Sequence, residues 1–514
     1  MIRAEGGETL LALLRKAGIR IETPCGGMGT CGKCKVLLSN GEYVNACTYV
    51  PKSDVVLLDW PVPDPSSESI LTGFDRNKSG FSDPLSADVP VFKAAVDIGT
   101  TTLAAYLLDA AKGREAAVAS RLNPQVIYGA DVITRAQYVL EHGTEEMTHS
   151  IRKAVQEMLC ELCRQAGIPA EAIDSVSIAG NTCMHHFFLG LNVDSLVHAP
   201  YVPAMKEAAV WSAADLGFDL FPGAAFYTFP NIAGFVGGDT VAGLVSTRLA
   251  EMDEWTLLID IGTNGEIVLG KKHRLFACSA AAGPAFEGAG ISCGMRGSEG
   301  AVSGARWEGD HFALDVIGGG PARGICGSGL LDLCAELLRS GQMDAYGGLL
   351  CGTNRVLQAP KQDLDSCGDA EGSQAVTLFK GDEKKNLRPV VLTQKDIRQL
   401  QLAKAAIAAG IDCLAAEAGI DVGEIRQVLL AGAFGSFLKP VSACAIGLIP
   451  AVLEKRIQVV GNASGAGAIC VLQNPAKWEY TKAIASETTY VELAKRPDFR
   501  ELFVEHMLFA DEEE

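Results

Sequence analysis

Ala94-Ala-Val-Asp97-Ile-Gly99-Thr100-Thr101-Thr102-Leu-Ala-Ala-Tyr-Leu-Leu-Asp109 decides how most of this 514-residue chain folds. An apolar run leads to an Asp, a Gly turn lined with hydroxyls follows, and a second apolar run returns: strand, tight turn, strand. The pattern recurs at Leu257-Leu-Ile-Asp260-Ile-Gly262-Thr263-Asn264-Gly265-Glu266-Ile-Val-Leu-Gly270, 163 residues further on by the Asp97–Asp260 spacing. One Asp-x-Gly-Thr is weak evidence, but two copies of one hairpin predict a duplicated domain. Gly99 and Gly262 let backbone amides approach phosphate oxygens, Thr100, Thr101, Thr102, Thr263 and Asn264 add polar donors, and Asp97 and Asp260 can hold Mg²⁺ through water.

These hairpins resemble the ASKHA superfamily of acetate and sugar kinases, the heat-shock ATPase and actin. The resemblance implies an α/β two-lobe ATPase whose hairpins clamp the β- and γ-phosphates of ATP. Val428-Leu-Leu-Ala-Gly432-Ala-Phe-Gly435-Ser436 corresponds to the superfamily's adenosine segment, a strand running through a glycine turn into a helix. Gly318-Gly-Gly-Pro-Ala-Arg-Gly-Ile-Cys-Gly327-Ser328-Gly329 is a second nucleotide-loop candidate. Ser177-Ile-Ala-Gly180-Asn-Thr and Val460-Gly461-Asn-Ala-Ser-Gly465 resemble the superfamily's connecting segments. Asp239, in Phe235-Val-Gly237-Gly238-Asp239-Thr240, stands where the superfamily's kinases keep a carboxylate that orients the attacking group. A helix N-cap is the structural alternative for Asp239.

Upstream lies Thr23-Pro-Cys25-Gly-Gly-Met-Gly-Thr-Cys31-Gly-Lys-Cys34, with Cys47 beyond it. Glycines among thiols suit a loop that turns its amides toward inorganic sulfide. Cys-x5-Cys-x2-Cys followed by a remote Cys is close to plant-type [2Fe–2S] spacing. A structural zinc site is the competing use of Cys25, Cys31, Cys34 and Cys47, but a zinc ribbon builds two Cys-x2-Cys pairs and this stretch has one. The segment resembles the small β-grasp [2Fe–2S] ferredoxin fold over residues 1–60, with Leu10, Leu11 and Leu14 on one face of a short helix and Gly18 as its C′ residue. The family's first hairpin is missing or reduced to Met1–Ala4, and Cys47 follows an unusually short gap.

The expected organisation is a ferredoxin-like domain at 1–60 and a Pro- and Ser-rich flexible linker at 61–92. ASKHA lobe 1 follows at 93–250, lobe 2 at 251–475, and a C-terminal helix with acidic tail at 476–514. A net charge of −18 argues against a nucleic-acid surface. No apolar run is long enough to span a membrane, and sixteen cysteines with no secretory leader read as a reduced, cytoplasmic protein. Cys160 and Cys163 share Cys-x2-Cys spacing, but their helical context favours buried thiols over a second cluster. His185 and His186 read as helix packing, and the glycine-rich loop 280–297, with Glu287 and Arg296, has no assignable role.

A [2Fe–2S] module tethered to an ATPase fold is similar to the reductive activators of corrinoid proteins. That resemblance implies one-electron reduction of an inactive Co(II) corrinoid protein of a methyltransferase system to Co(I), driven by ATP and fed by a separate electron donor. It also admits a homodimer. The chain passes from linker to the Asp97 hairpin without room for the middle domain some members carry. The rival readings are a small-molecule kinase with an electron-transfer appendage and an ATP-switched redox carrier.

Overall fold

The computed structural model describes residues 2, 7–17, 19, 21, 23, 27, 29, 34–59, 73, 91–309, 311–350, 374–382 and 387–509. The described chain divides into two compact units: 2–59 with 91–242 and 467–482, and 73 with 243–466 and 483–509.

In the first unit, the N-terminal module is a helix packed on three antiparallel strands. Helix Leu10–Lys16 starts at Thr9, whose hydroxyl accepts from the Ala12 N–H, and ends in Arg15 and Lys16, the charges its C-terminus favours. Leu10, Leu11, Leu13 and Leu14 are all buried. They pack with Ile21, Val36 and Leu38 into a core separate from that of the lobe. Strands Lys35–Leu38 (β1), Tyr43–Asn45 (β2) and Leu57–Asp59 (β3) lie in the order β2-β1-β3. Ile2 forms an antiparallel bridge with Val55. Gly18 lies outside the described residues.

The remainder of this unit is a six-stranded sheet. Its strands are Phe92–Ile98 (β4), Thr102–Asp109 (β5), Arg114–Leu122 (β6), Ile173–Gly180 (β7), Ala209–Ser212 (β8) and Ala225–Thr228 (β9), in the order β6-β5-β4-β7-β9-β8. β4, β5 and β6 form an antiparallel meander, while β7 runs parallel to β4 and β9 parallel to β7. Helix Glu145–Ala166 covers one face, burying Met147, Ile151, Val155, Met158 and Leu162 in the core that holds Val96, Leu103 and Leu107. Each such side chain contributes about 1.5–3 kcal/mol on burial. Residues 467–482 complete the lobe from the far end of the chain. Ser177 donates to the Ala468 carbonyl at 2.6 Å, Lys93 to the Leu472 carbonyl at 2.9 Å, and Trp478 meets the rings of Tyr227 and Phe229 edge-on.

The second unit repeats the plan. Thr256–Ile261 (β10), Gly265–Lys271 (β11) and Arg274–Ala280 (β12) form the meander. Ala301–Trp307 (β13), Phe312–Val316 (β14) and Gly324–Ile325 (β15) make a small side sheet, and Ala375–Phe379 (β16) pairs with Val390–Thr393 (β17). Gln427–Ala431 (β18) runs parallel to β10, and Ile457–Gly461 (β19) runs parallel to β18. Thr488–Tyr490 (β20) closes the order β19-β18-β10-β11-β12-β20. The run β12-β11-β10-β18-β19 therefore reproduces β6-β5-β4-β7-β9, direction for direction, as the duplicated hairpins predict. Helix Gln394–Ala418 lies through the core, started by a reciprocal capping box between Thr393 and Asp396. The segment read from sequence as a tail is integral to this sheet through β20. Its end is clamped on the long helix, where Gln401 bonds the Met507 carbonyl and Lys404 the Leu508 carbonyl.

Candidate functional site

In the first unit the Asp97 hairpin turns within Gly99–Thr101, where the Gly99 N–H donates to the Thr102 carbonyl at 3.0 Å. A Cβ at Gly99 would lie 2.6 Å from that oxygen, so only glycine makes this turn. Two asparagines hold the turn from either side. Asn123 donates from its amide side chain to the Gly99 carbonyl and from its backbone N–H to the Thr101 carbonyl, each at 2.8 Å. Asn181 donates to the Thr100 hydroxyl at 3.0 Å and caps helix Thr182–Leu189 by accepting from the Met184 N–H. Sequence reading passed over Asn123, which stands alone between strand and turn. Asn181 was visible in its Gly-Asn-Thr context, but only as a connecting segment.

Asp97 sits near the end of β4, in register with Ala104 and Ala179. Asp239 opens helix Gly238–Thr247 and accepts from the Thr240 N–H at 2.7 Å. The helix begins one residue earlier, at Gly238, so Asp239 satisfies a first-turn donor without being the N-cap. Gly237 and Gly238 explain the placement. A Cβ on Gly237 would strike the Thr182 nitrogen at 2.4 Å and one on Gly238 the Phe229 Cβ at 2.7 Å. Burial raises the Asp239 carboxyl to about 7, opposed by the Thr240 N–H and reinforced by the negative charge of Asp97. Two carboxylates crowded this way suit a divalent cation or a water held between them.

In the second unit Asp260, Gly262, Thr263, Asn264 and Gly432 gather at one end of the sheet. Gly262 donates to the Asn264 carbonyl at 2.9 Å. The Thr263 hydroxyl is buried with no partner among the described residues, an orphaned donor where a phosphate oxygen would satisfy it. Gly432 follows β18 with φ +83°, and a Cβ there would lie 2.3 Å from the Asp260 carboxylate. Gly435 lies in helix Gly432–Phe437 against Leu430, and Ser436 lies in the same helix by its backbone. The loop without an assigned role belongs here as well. Phe286 stacks on Phe434 with ring centroids 4.6 Å apart, and Glu287 stands beside Gly262. Gly327 and Gly329 serve close packing instead, since a Cβ on either would meet the Phe286 or Val302 carbonyl at about 2 Å. Ser328 is buried and donates to the Ser303 carbonyl at 3.1 Å.

In the N-terminal module Cys25 and Cys31 lie outside the described residues. Cys34 and Cys47 are both buried, and their sulfurs face each other at 3.3 Å. Two thiolates on one tetrahedral metal at 2.3 Å stand about 3.8 Å apart, so the pair needs only a small opening to grip one ion. Ala46 brings Cys47 there by donating its N–H to the Cys34 carbonyl at 3.0 Å.

Elsewhere, Cys160 and Cys163 lie on helix Glu145–Ala166 with thiols raised by desolvation, as packing residues would be. His186 accepts from the Ala204 N–H, and His185 is buried against Asn231, so both belong to the interior of the lobe. No group of three or more metal-ligating side chains occurs among the described residues, and no described helix is long and apolar enough to cross a membrane.

Three family models match the chain: the 2Fe-2S iron-sulfur cluster binding domain over 1–56, the RACo middle region over 92–252, and the C-terminal ASKHA domain of RACo over 254–514. The expectation of no middle domain is therefore corrected: what reads as lobe 1 is itself the family's middle region. The chain is 35% identical to the corrinoid activation enzyme RamQ of Eubacterium limosum over 426 residues, 82% of this chain and 71% of that protein. It is 23% identical to the [Co(II) methylated amine-specific corrinoid protein] reductase of Methanosarcina barkeri, across 78% of this chain and 73% of the other. Among solved structures, a reductive activator for corrinoid, iron-sulfur protein shares 30% identity and a TM-score of 0.71, covering 99% of this chain and 96% of its own.

Proposed function

The chain belongs to the RACo family, and from that premise we propose that it is an ATP-dependent activase that reduces a corrinoid protein from Co(II) to Co(I). One observation carries the reading. A facing pair of buried thiols in a ferredoxin-type module shares one chain with a duplicated hairpin fold, and a reductive activator matches that chain nearly end to end.

Cys25, Cys31, Cys34 and Cys47 would hold a [2Fe–2S] cluster, which supplies one electron at a time. Asp97 and Asp260 would position Mg²⁺ through water. The turn amides at Gly99 and Gly262, with the hydroxyls of Thr100–Thr102 and Thr263, would receive phosphate oxygens of ATP. Gly432, Gly435 and Ser436 would line the adenosine, while Gly327 and Gly329 open a helix that packs closely on the Phe286 and Val302 carbonyls. Asp239, half-buried and facing the negative charge of Asp97, would orient the water that attacks the terminal phosphate. ATP can drive the transfer only through a difference in affinity between two states of the protein. Hydrolysis therefore resets the partner complex after a single electron passes from the module to Co(II), and an external one-electron donor refills the module.

The test mixes protein, an external reductant and a Co(II) corrinoid protein, with and without Mg²⁺-ATP, and follows the Co(I) absorption band. Co(I) forms with ATP and stays near background without it. Equal Co(I) in both arms would refute the coupling.

A further inference from the structure

Among the described residues, Arg15 and Thr23 of the N-terminal module meet lobe 1 at Ile127 and Tyr128, next to the first phosphate-type turn. The Arg15 guanidinium, on the last turn of helix Leu10–Lys16, donates to the Ile127 carbonyl and stands 5.5 Å over the Tyr128 ring. The Thr23 hydroxyl donates to the same Ile127 carbonyl at 2.7 Å, and Thr23 precedes Cys25 by two residues in sequence. Tyr128 is backed by Glu146, which accepts from its hydroxyl at 3.0 Å and from the Tyr138 hydroxyl at 2.6 Å. A cation from the module thus meets an aromatic face with a carboxylate behind it.

Ile127 ends the short 3-10 helix Pro124–Ile127, and its N-cap is Asn123. Asn123 makes the two bonds to Gly99 and Thr101 that brace the turn, while Gln125 is anchored on the Met147 carbonyl. Three residues separate the brace from the carbonyl that holds the module. The segment between them is a hydrogen-bonded turn, with the Val126 N–H donating to the Asn123 carbonyl at 3.1 Å.

We propose that residues 123–128 form the dock that holds the iron–sulfur module on lobe 1, and that Asn123 makes this dock sensitive to nucleotide at the Gly99–Thr102 turn. The second half rests on the nucleotide reading above; the first does not. Reciprocity then requires that loosening the dock change nucleotide affinity by the same factor as nucleotide changes docking.

The experiment compares the full-length cluster-loaded protein with Arg15→Ala and Arg15→Lys. Hydrogen exchange is read in the peptides covering 10–17 and 124–130, and binding of a non-hydrolysable ATP analogue with Mg²⁺ is read by fluorescence. Without nucleotide, Arg15→Ala speeds exchange in both peptides by about tenfold while the β8–β9 pair is unchanged, and Arg15→Lys recovers part of the protection. Cluster absorbance equal to wild type shows that the module itself is folded. Unchanged exchange in Arg15→Ala overturns the dock. For the coupling, the analogue's affinity shifts about fivefold or more between wild type and Arg15→Ala. An identical affinity overturns the coupling alone. Failure of wild type to bind the analogue overturns the coupling together with the nucleotide reading, and leaves the dock to be judged by the nucleotide-free exchange.

Discussion

At the residue scale the decisive groups are two half-buried carboxylates and two buried thiols. Asp239→Asn keeps the size of the side chain and its bond from Thr240 but removes the charge that would steer water, so ATP turnover should fall about a hundredfold or more with the analogue still bound. Phosphate release assays check this. The same variant tests the electrostatics of the nucleotide-free protein. Because the folded carboxyl titrates near 7 and an unfolded one near 4, the native state holds the extra proton between those values. Stability contributed by Asp239 is thus present below about pH 4 and lost progressively as pH rises to about 7. Denaturant midpoints should show this decline in wild type relative to Asp239→Asn. Cys47→Ala leaves Cys34 without its facing sulfur, and the purified variant should lose the visible cluster absorption and most of its protein-bound iron. These thiols were legible in the sequence because their spacing alone carried information. Asn123 was not, since one asparagine after a strand looks like any turn residue until the carbonyls it braces are located in space.

Elements explain why the duplicated sheets were readable and their supports were not. Strand, Asp, glycine turn, strand is a local pattern, so both hairpins followed directly from composition and order. Gly327 and Gly329 show the opposite case. Their Gly-x-Gly setting before an apolar helix looks like a phosphate loop, yet in the fold the same two residues let that helix approach the Phe286 and Val302 carbonyls. Close backbone approach and ligand approach call for the same residue, and only geometry separates them. Gly432 carries both demands, with positive φ and the Asp260 carboxylate 2.3 Å from any added Cβ. Gly432→Ala should therefore lower the thermal midpoint through about 1–2 kcal/mol of backbone strain plus the clash, and weaken analogue binding. Calorimetry and titration read the two effects separately.

At the scale of the whole molecule, late stretches of the chain complete each unit separately. Lys404, fully enclosed in the long helix, gives its charge to the Leu508 carbonyl and the face of Phe509, and desolvation pulls the amine down to about 7. Above that pH the folded protein has released a proton that the unfolded chain keeps until about 10.4. The cost of burying this amine is complete below pH 7 and is relieved as pH rises toward 10. The stability of wild type minus that of Lys404→Met should consequently increase over that interval, measured by urea unfolding at a series of pH values. A second late stretch of the chain has a bearing on biosynthesis. Lobe 1 is finished by residues 467–482, whose Trp478 and helix carbonyls meet β4, β7 and β9. A ribosome that has made the first half of the protein has therefore not yet made the piece that lobe needs. The nascent sheet therefore stays uncovered on that side until residues 467–482 have been made.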